Sequence, residues 1–247
     1  MGDWRERTEM LVGGEGLRRL NEAHVAVIGL GGVGSFAAEM ICRAGVGHLI
    51  LLDSDIVGMS NKNRQLIALD STLECKKTEV MAERLRDVNP GVELVLIEDF
   101  LTKDNVPSIL GKHKIDFLVD AIDTLTPKIA LISYCLDKNV RMVSSMGAGA
   151  KFDATKIKLA DISESRNCPL AHMLRKRLRN IGIVRGFDVV YSEELPDRNA
   201  IVTLAPFEER NKKSQVGTLS YLPATFGCVC AQAAITYLLN PAEHDMK

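Results

Sequence analysis

The sequence predicts an α/β protein: a doubly wound, mostly parallel sheet with a C-terminal extension. Three observations predict it. Short β-branched apolar runs alternate with helical periodicity from residue 23 to about residue 150, and strands alternating with helices pair in parallel through crossovers. A glycine run, Gly29-Leu30-Gly31-Gly32-Val33-Gly34, follows the apolar run 25–28 and opens a helix. Two of the apolar runs end in acids, Asp53 and Asp120, at the strand ends where such sheets collect ligands. Strand, glycine loop, helix and second strand in roughly thirty residues make a βαβ unit of Rossmann type.

The elements follow in order. The head, residues 1–22, is charged, with a helical scatter of Met10, Leu11, Leu17 and Leu20 interrupted by Gly13, Gly14 and Gly16. It reads as two short helices and a loop. His24–Ile28 is a strand, residues 36–43 a helix and 49–52 a strand. Ser71-Thr72-Leu73-Glu74 has the form of a capping box, so a helix with Val80, Met81, Leu85 and Val88 inward should follow it. Pro90-Gly91 stops that helix. Glu93–Ile97, Phe117–Asp120 and 141–144 are strands, and 129–136 is a helix between the last two. After residue 151 the alternation weakens. Residues 152–162 and 188–192 read as strands, with a basic amphipathic helix, 169–181, between them. Residues 192–214 are rich in Glu, Asp, Arg, Lys and Asn with little periodicity, and are expected to form a mobile crossover loop.

Residues 219–239 carry no charge and are long enough to span a bilayer. Pro223, Gly227 and Gln232 within them favour a turn and a helix buried inside the domain, so membrane contact is not expected. A net charge of −1 gives no global attraction to nucleic acid, so any such partner must be met by a local basic patch. The six cysteines form no C-x-x-C pair, which argues against a four-cysteine zinc site and fits reduced thiols in the cytoplasm.

The glycine run points to phosphate at a helix N-terminus. Gly29 serves the tight turn, Gly31 the close approach of backbone to phosphate and Gly34 the packing of helix on strand. Asp53, about twenty residues on, stands where an acid meets a ribose hydroxyl; this suits NAD and ATP equally. Asp55 reads as a loop-ordering acid. Asn61 and Arg64, in Ser60-Asn61-Lys62-Asn63-Arg64-Gln65, separate the two ligands better. A forked guanidinium grips phosphate oxygens whose charge grows in a transition state, although a loop arginine taken alone is usually only solvated. Lys76 and Lys77 open a helix, where a cation is mildly unfavourable unless an anion sits nearby. Asp120-Ala121-Ile122-Asp123 puts two carboxylates at a strand end. Magnesium on a triphosphate needs one or two; Asp123, past the strand end, is the better ligand, and Asp120 can instead cap the turn.

In this order and at this spacing, the glycine run, Asp53, residues 60–65, Lys77 and Asp120–Asp123 resemble the adenylating domain of the ubiquitin-activating-enzyme superfamily. The resemblance implies that Arg64 and Lys77 bind the triphosphate with help from Asn61. It also implies that Asp123 holds Mg2+ and that a carboxylate attacks the α-phosphate of ATP. Gly29, Gly31, Gly32, Gly34 and Asp53 are then the nucleotide cradle. That superfamily also takes an arginine from the N-terminal helix of the neighbouring subunit. Arg7 is the nearest match and Arg5 the alternative; either acting in trans implies a homodimer. One adenylating domain of residues 1–247 is expected, with a nucleotide-binding core over 23–150 and a substrate-binding, dimer-supporting extension over 151–247.

Most bacterial relatives in that superfamily activate a sulfur-carrier protein and bear two C-x-x-C pairs. The later half of this chain instead resembles the tRNA threonylcarbamoyladenosine dehydratases. The stretches that carry this are Val143-Ser144-Ser145-Met146-Gly147-Ala148, Asn167-Cys168-Pro169-Leu170-Ala171, Val189-Val190-Tyr191-Ser192 and Gly217-Thr218-Leu219-Ser220-Tyr221-Leu222-Pro223-Ala224. The implied partner is the anticodon arm of a tRNA, with a sulfur-transfer protein and a structural Na+ or K+ left open. On helix 169–181, Leu170, Met173, Leu174, Leu178 and Ile181 should face inward. Arg175, Lys176 and Arg179 are the candidate phosphate track, against the plainer reading of a solvated face. Cys168 reads as a packing residue, because the cyclisation needs no covalent carrier. The competing readings are a sulfur-carrier adenylyltransferase, an NAD-dependent oxidoreductase and a nucleotide-gated binding module.

Overall fold

A computed structural model of the chain describes residues 2–203 and 214–240. The first half runs α1 (Glu6–Glu22), β1 (His24–Ile28), α2 (Gly34–Arg43), β2 (His48–Leu52), α3 (Lys77–Val88), β3 (Glu93–Ile97), α4 (Val106–Leu110), β4 (Phe117–Asp120), α5 (Leu125–Asp137) and β5 (Arg141–Ser145). The second half adds β6 (Ile157–Asp161), α6 (Pro169–Arg179), β7 (Asp188–Ser192), β8 (Ile201–Thr203), β9 (Ser214–Val216) and α7 (Tyr221–Leu239). Seven strands form one sheet in the order β3-β2-β1-β4-β5-β7-β6. All neighbours are parallel except β6, which runs antiparallel to β7. β8 and β9 form a separate antiparallel pair.

The sheet is covered on both faces, so its central strands are apolar throughout. Alternate residues turn to opposite sides. Val25, Val27, Leu49 and Leu51 pack with α2 and α7, on the side that also receives Leu20 of α1 and Met81 of α3. Ala26, Ile28, Ile50 and Leu52 pack with α5 and α6 through Leu131, Ile132, Ala171, Leu174 and Leu178. The strand order reverses between β1 and β4, whose register sets Ile28 beside Asp120. A crevice therefore opens beyond the C-terminal ends of β1, β2 and β4.

The head is a kinked helix: Gly13 takes φ 73°, which splits α1 into two segments. The capping-box expectation is overturned. Helix α3 begins at Lys77, and the residue before it, Lys76, is extended. Glu74 N–H donates to Val57 O at 2.9 Å and Val57 N–H to Cys75 O at 2.8 Å. This short antiparallel pairing holds 73–76 out of the helix, and Thr72 instead closes a turn by accepting Leu69 N–H at 2.9 Å. The strand expected over 152–162 is shortened to β6 because 154–156 form a 3-10 turn. On α6 the buried residues are Ala171, Leu174 and Leu178; Met173 stands exposed, as does Ile181 just past the end of the helix. The loop expected over 192–214 contains the turn Arg198–Ala200 and strand β8; its span 204–213 lies outside the described residues. Residues 219–239 resolve into a turn and α7. One side of α7 is buried through Leu222, Phe226, Cys230 and Ala234, and Cys228 and Gln232 lie exposed on the other.

Candidate active site

The glycine loop is shaped by two close approaches. Gly29 follows β1 with φ 92°, and a Cβ there would lie 3.0 Å from Ala121 O. A Cβ on Gly34 would lie 1.7 Å from Gly29 O, so only glycine lets α2 start so near the strand. Gly31 is different in kind: a Cβ there would meet only Gln65 Nε2, at 3.8 Å. Its backbone therefore faces open space, as close approach of a phosphate requires. Gly32 lies under Pro223 of α7 and Arg64, at 3.0 and 3.3 Å from a Cβ position. Helix α2 has no side-chain cap and Ser35 N–H turns back to Gly31 O at 3.2 Å, so the remaining first-turn N–H groups suit an anion.

Asp53 ties the second strand to this loop. Its Oδ2 accepts Leu30 N–H at 2.6 Å and its Oδ1 accepts Asp55 N–H at 2.9 Å. Burial raises its pKa, opposed by the Lys77 charge and these two backbone donors. A carboxylate has lone pairs to spare for a ribose hydroxyl. Lys77 is buried, with Nζ 2.9 Å from Asp55 Oδ2 and 3.9 Å from Asp53 Oδ1. The helix-dipole argument for a phosphate beside Lys77 therefore loses its force. Two carboxylates already compensate that charge, and Asp55 is an ion-pair partner as well as a loop residue. Lys76 turns away to Glu98 at 2.7 Å.

Asn61 builds the arginine loop: its Oδ1 accepts Gly58 N–H at 3.0 Å. Arg64 is half-buried and donates to Ser60 O and Asn63 Oδ1, both at 2.9 Å. It lines a cavity of about 410 Å3 with Asn63, Asn199, Gln215 and Thr218. Asn63 Nδ2 closes the loop onto Thr218 O at 3.2 Å.

The two strand-end acids separate. Asp120 is fully buried and its Oδ1 accepts Ile122 N–H at 3.1 Å, the turn-capping role. Asp123 is exposed past the strand and accepts from Thr124 Oγ1 at 3.2 Å. Among the described residues no group of three or more His, Cys, Asp or Glu side chains could hold a metal. An ion in this crevice would need phosphate oxygens to complete its shell.

Two expected groups lie apart. Arg7 is exposed on α1 and makes no hydrogen bond or ion pair among the described residues. Arg5, the alternative, is bound within its own chain to Asp3 at 2.9 Å and Asn21 at 3.3 Å. On α6, Lys176 and Arg179 are exposed, but Arg175 is half-buried and donates to Ser165 O at 2.6 Å. Its guanidinium holds the loop before α6, so it does not stand on the surface as a phosphate contact. Cys168 is buried and lies 3.7 Å from a Cβ position on Gly147, as a packing residue would.

Sequence reasoning missed two residues. Lys128, fully buried, pairs with Asp120 at 2.7 Å. Its signal was there: it is the one charge between 125 and 136, on an apolar helix just past two acids. Gln65 is the other. It is buried beside Gly31, and its Oε1 has no hydrogen-bond partner among the described residues.

The ThiF family model matches residues 5–247. The chain is 37% identical over 242 residues to the tRNA threonylcarbamoyladenosine dehydratase of Bacillus subtilis, covering 96% of this chain and 95% of that one. It is 36% identical over 257 residues to the Escherichia coli enzyme of the same name, covering 97% and 96%. The crystal structure of the E. coli enzyme in complex with ATP superposes with a TM-score of 0.86 at 35% identity, covering 98% of this chain and 97% of that one. The glycine loop, Asp53 and the loop carrying Arg64 thus lie together beyond the strand ends, and the chain belongs to the ThiF family.

Proposed function

We propose that this chain uses ATP to dehydrate N6-threonylcarbamoyladenosine in tRNA to its cyclic form, through adenylation of the threonyl carboxylate. The observation that carries the reading is full-length likeness to a tRNA dehydratase whose crystal structures hold ATP in one case and AMP in another.

The chemistry explains the need for ATP. A carboxylate is a poor electrophile because oxide is a poor leaving group. One of its oxygens attacks the α-phosphorus, pyrophosphate leaves, and a mixed anhydride with AMP forms. A nitrogen of the same side chain then attacks the carbonyl carbon, closes a five-membered ring, loses its proton and expels AMP. Closure is intramolecular, and such effective molarities reach about 10⁵–10⁸ M. The protein's main task is the first step.

The family resemblance supports the following roles. Amides of the loop 29–34 cradle phosphates and Asp53 accepts a ribose hydroxyl. Arg64 and Lys77 bear on the triphosphate, and Asn61 holds the arginine loop. Asp123 contributes to Mg2+, which would take its remaining ligands from phosphate and water. Arg7 enters from a second copy of the chain. The extension 151–247 bears on the tRNA through Lys176 and Arg179 of α6 and supports the dimer. Incubation with ATP, magnesium and tRNA carrying the threonylcarbamoyl group should remove one water from that nucleoside, read by mass spectrometry. An unchanged nucleoside mass sinks the proposal.

A further inference from the structure

Beneath the crevice lies a polar cluster that solvent does not reach. Lys128 and Asp120 are each 0% exposed. Lys128 Nζ is 2.7 Å from Asp120 Oδ2 and 3.0 Å from Ser144 Oγ, and Ser144 Oγ is 2.7 Å from the same carboxylate oxygen. The cluster joins the end of β4, the first turn of α5 and the end of β5. The Cys135 thiol lies close enough to feel the Asp120 charge, and burial pushes it up to about 12. No phosphate can touch Lys128 there.

The cluster does hold something that borders the nucleotide. The free oxygen of Asp120 caps the turn 121–123 through Ile122 N–H. That turn supports the glycine loop: Ala121 N–H donates to Ile28 O at 2.8 Å. Ala121 O and Cβ lie 3.0 and 3.2 Å from the Cβ positions of Gly29 and Gly34. The same turn carries Asp123 outward. A buried ion pair is a poor way to gain stability, because a well-packed apolar pair often does as well. Its use here, directly under the phosphate cradle, points to placement.

We propose that Lys128 is a positioning residue for nucleotide binding. It fixes Asp120, Asp120 fixes the turn 121–123, and the turn sets the glycine loop and the Asp123 carboxylate together. This rests on the reading that the crevice binds ATP. The test is calorimetric titration of ATP, once with magnesium and once with a chelator, at a temperature where each protein is folded by circular dichroism. For Lys128→Met, Kd should rise about tenfold or more in both conditions, since ångström-scale misplacement has effects of this order. The rise should be larger with magnesium, because Asp123 moves too. Ser144→Ala keeps the ion pair and loses the two hydrogen bonds that Ser144 Oγ makes to it; its Kd should rise about threefold.

A Kd within twofold of the parent in Lys128→Met, with only the melting temperature lowered, overturns the proposal. Should Lys128→Met fail to fold, Ser144→Ala decides: a Kd equal to the parent's overturns it. A parent chain that binds no ATP sinks the reading of the crevice, and the inference with it.

Discussion

The glycine loop permits a separation of two roles within one motif. In Gly34→Ala the new methyl would sit 1.7 Å from Gly29 O, more than an ångström inside contact. The carbonyl cannot swing away, because Gly29 N–H is bound to Leu52 O at 2.7 Å and the far side is closed by Ala121. The start of α2 must therefore move by about an ångström. Such overpacking costs about 1–3 kcal/mol, which in a domain of this size lowers Tm by roughly 3–9 °C. In Gly31→Ala the methyl enters open space 3.8 Å from Gln65. Stability should change by no more than about 0.5 kcal/mol, yet the methyl stands where a phosphate would approach. Thermal unfolding and calorimetric titration with ATP on both variants read the difference. Gly34→Ala should lose stability and affinity together; Gly31→Ala should lose at least about tenfold in affinity alone. Parent-like ATP binding by Gly31→Ala, or parent-like melting of Gly34→Ala, refutes the reasoning.

Other outcomes follow from the same geometry. Arg64→Ala should slow adenylation by about 10²–10³-fold in single-turnover assays, and near-full activity removes Arg64 from the site. If Arg7 acts across a dimer, mixing inactive Arg7→Ala and Arg64→Ala chains should restore about a quarter of parent activity, from the one competent site of each mixed dimer; no recovery places Arg7 elsewhere. Charge removal at Lys176 and Arg179 should flatten the salt dependence of tRNA binding, whereas Arg175→Ala, which loosens the Ser165 loop, should leave the slope nearly unchanged. Burial would raise the pKa of Glu39, but hydrogen bonds from Arg84 and Arg43 outweigh this and hold it below the usual glutamate value. Its folded pKa is depressed, so its contribution is present above the unfolded value of 4.5 and lost as pH falls through the folded one. Glu39→Gln should therefore cost about 1 kcal/mol near neutrality, limited by the exposure of both arginines. The gap to the parent in denaturant melts should close below pH 4.5; a gap that persists at low pH would contradict the ion-pair account.

The fold was legible because its signals are local. The apolar runs at 24–28, 49–52 and 117–120 and the glycines at 29–34 each declare a strand or turn without reference to distant residues. The positions of Asp53 and Asp120 were legible for the same reason: one follows the end of β2 and the other closes β4. The failures come from contacts made across the chain. Ser71–Glu74 has the local form of a helix start, but the pairing of Val57 with Glu74 and Cys75 overrides it. Arg175 has the periodicity of a surface cation, yet Ser165 captures it. Lys77 gave a sound electrostatic argument for an anion, which Asp55 answers from another loop. Lys128 was visible as a lone charge in an apolar helix; its meaning depended on Ser144, a residue on another strand.

The central claim is that the threonyl carboxylate itself attacks the α-phosphate. Heavy oxygen in that carboxylate tests it most directly. With labelled tRNA, ATP, magnesium and this protein, the AMP released should carry one heavy oxygen for each ring closed, read by mass spectrometry. Label appearing in inorganic phosphate beside ADP, or in neither product while the ring still closes, would contradict the account.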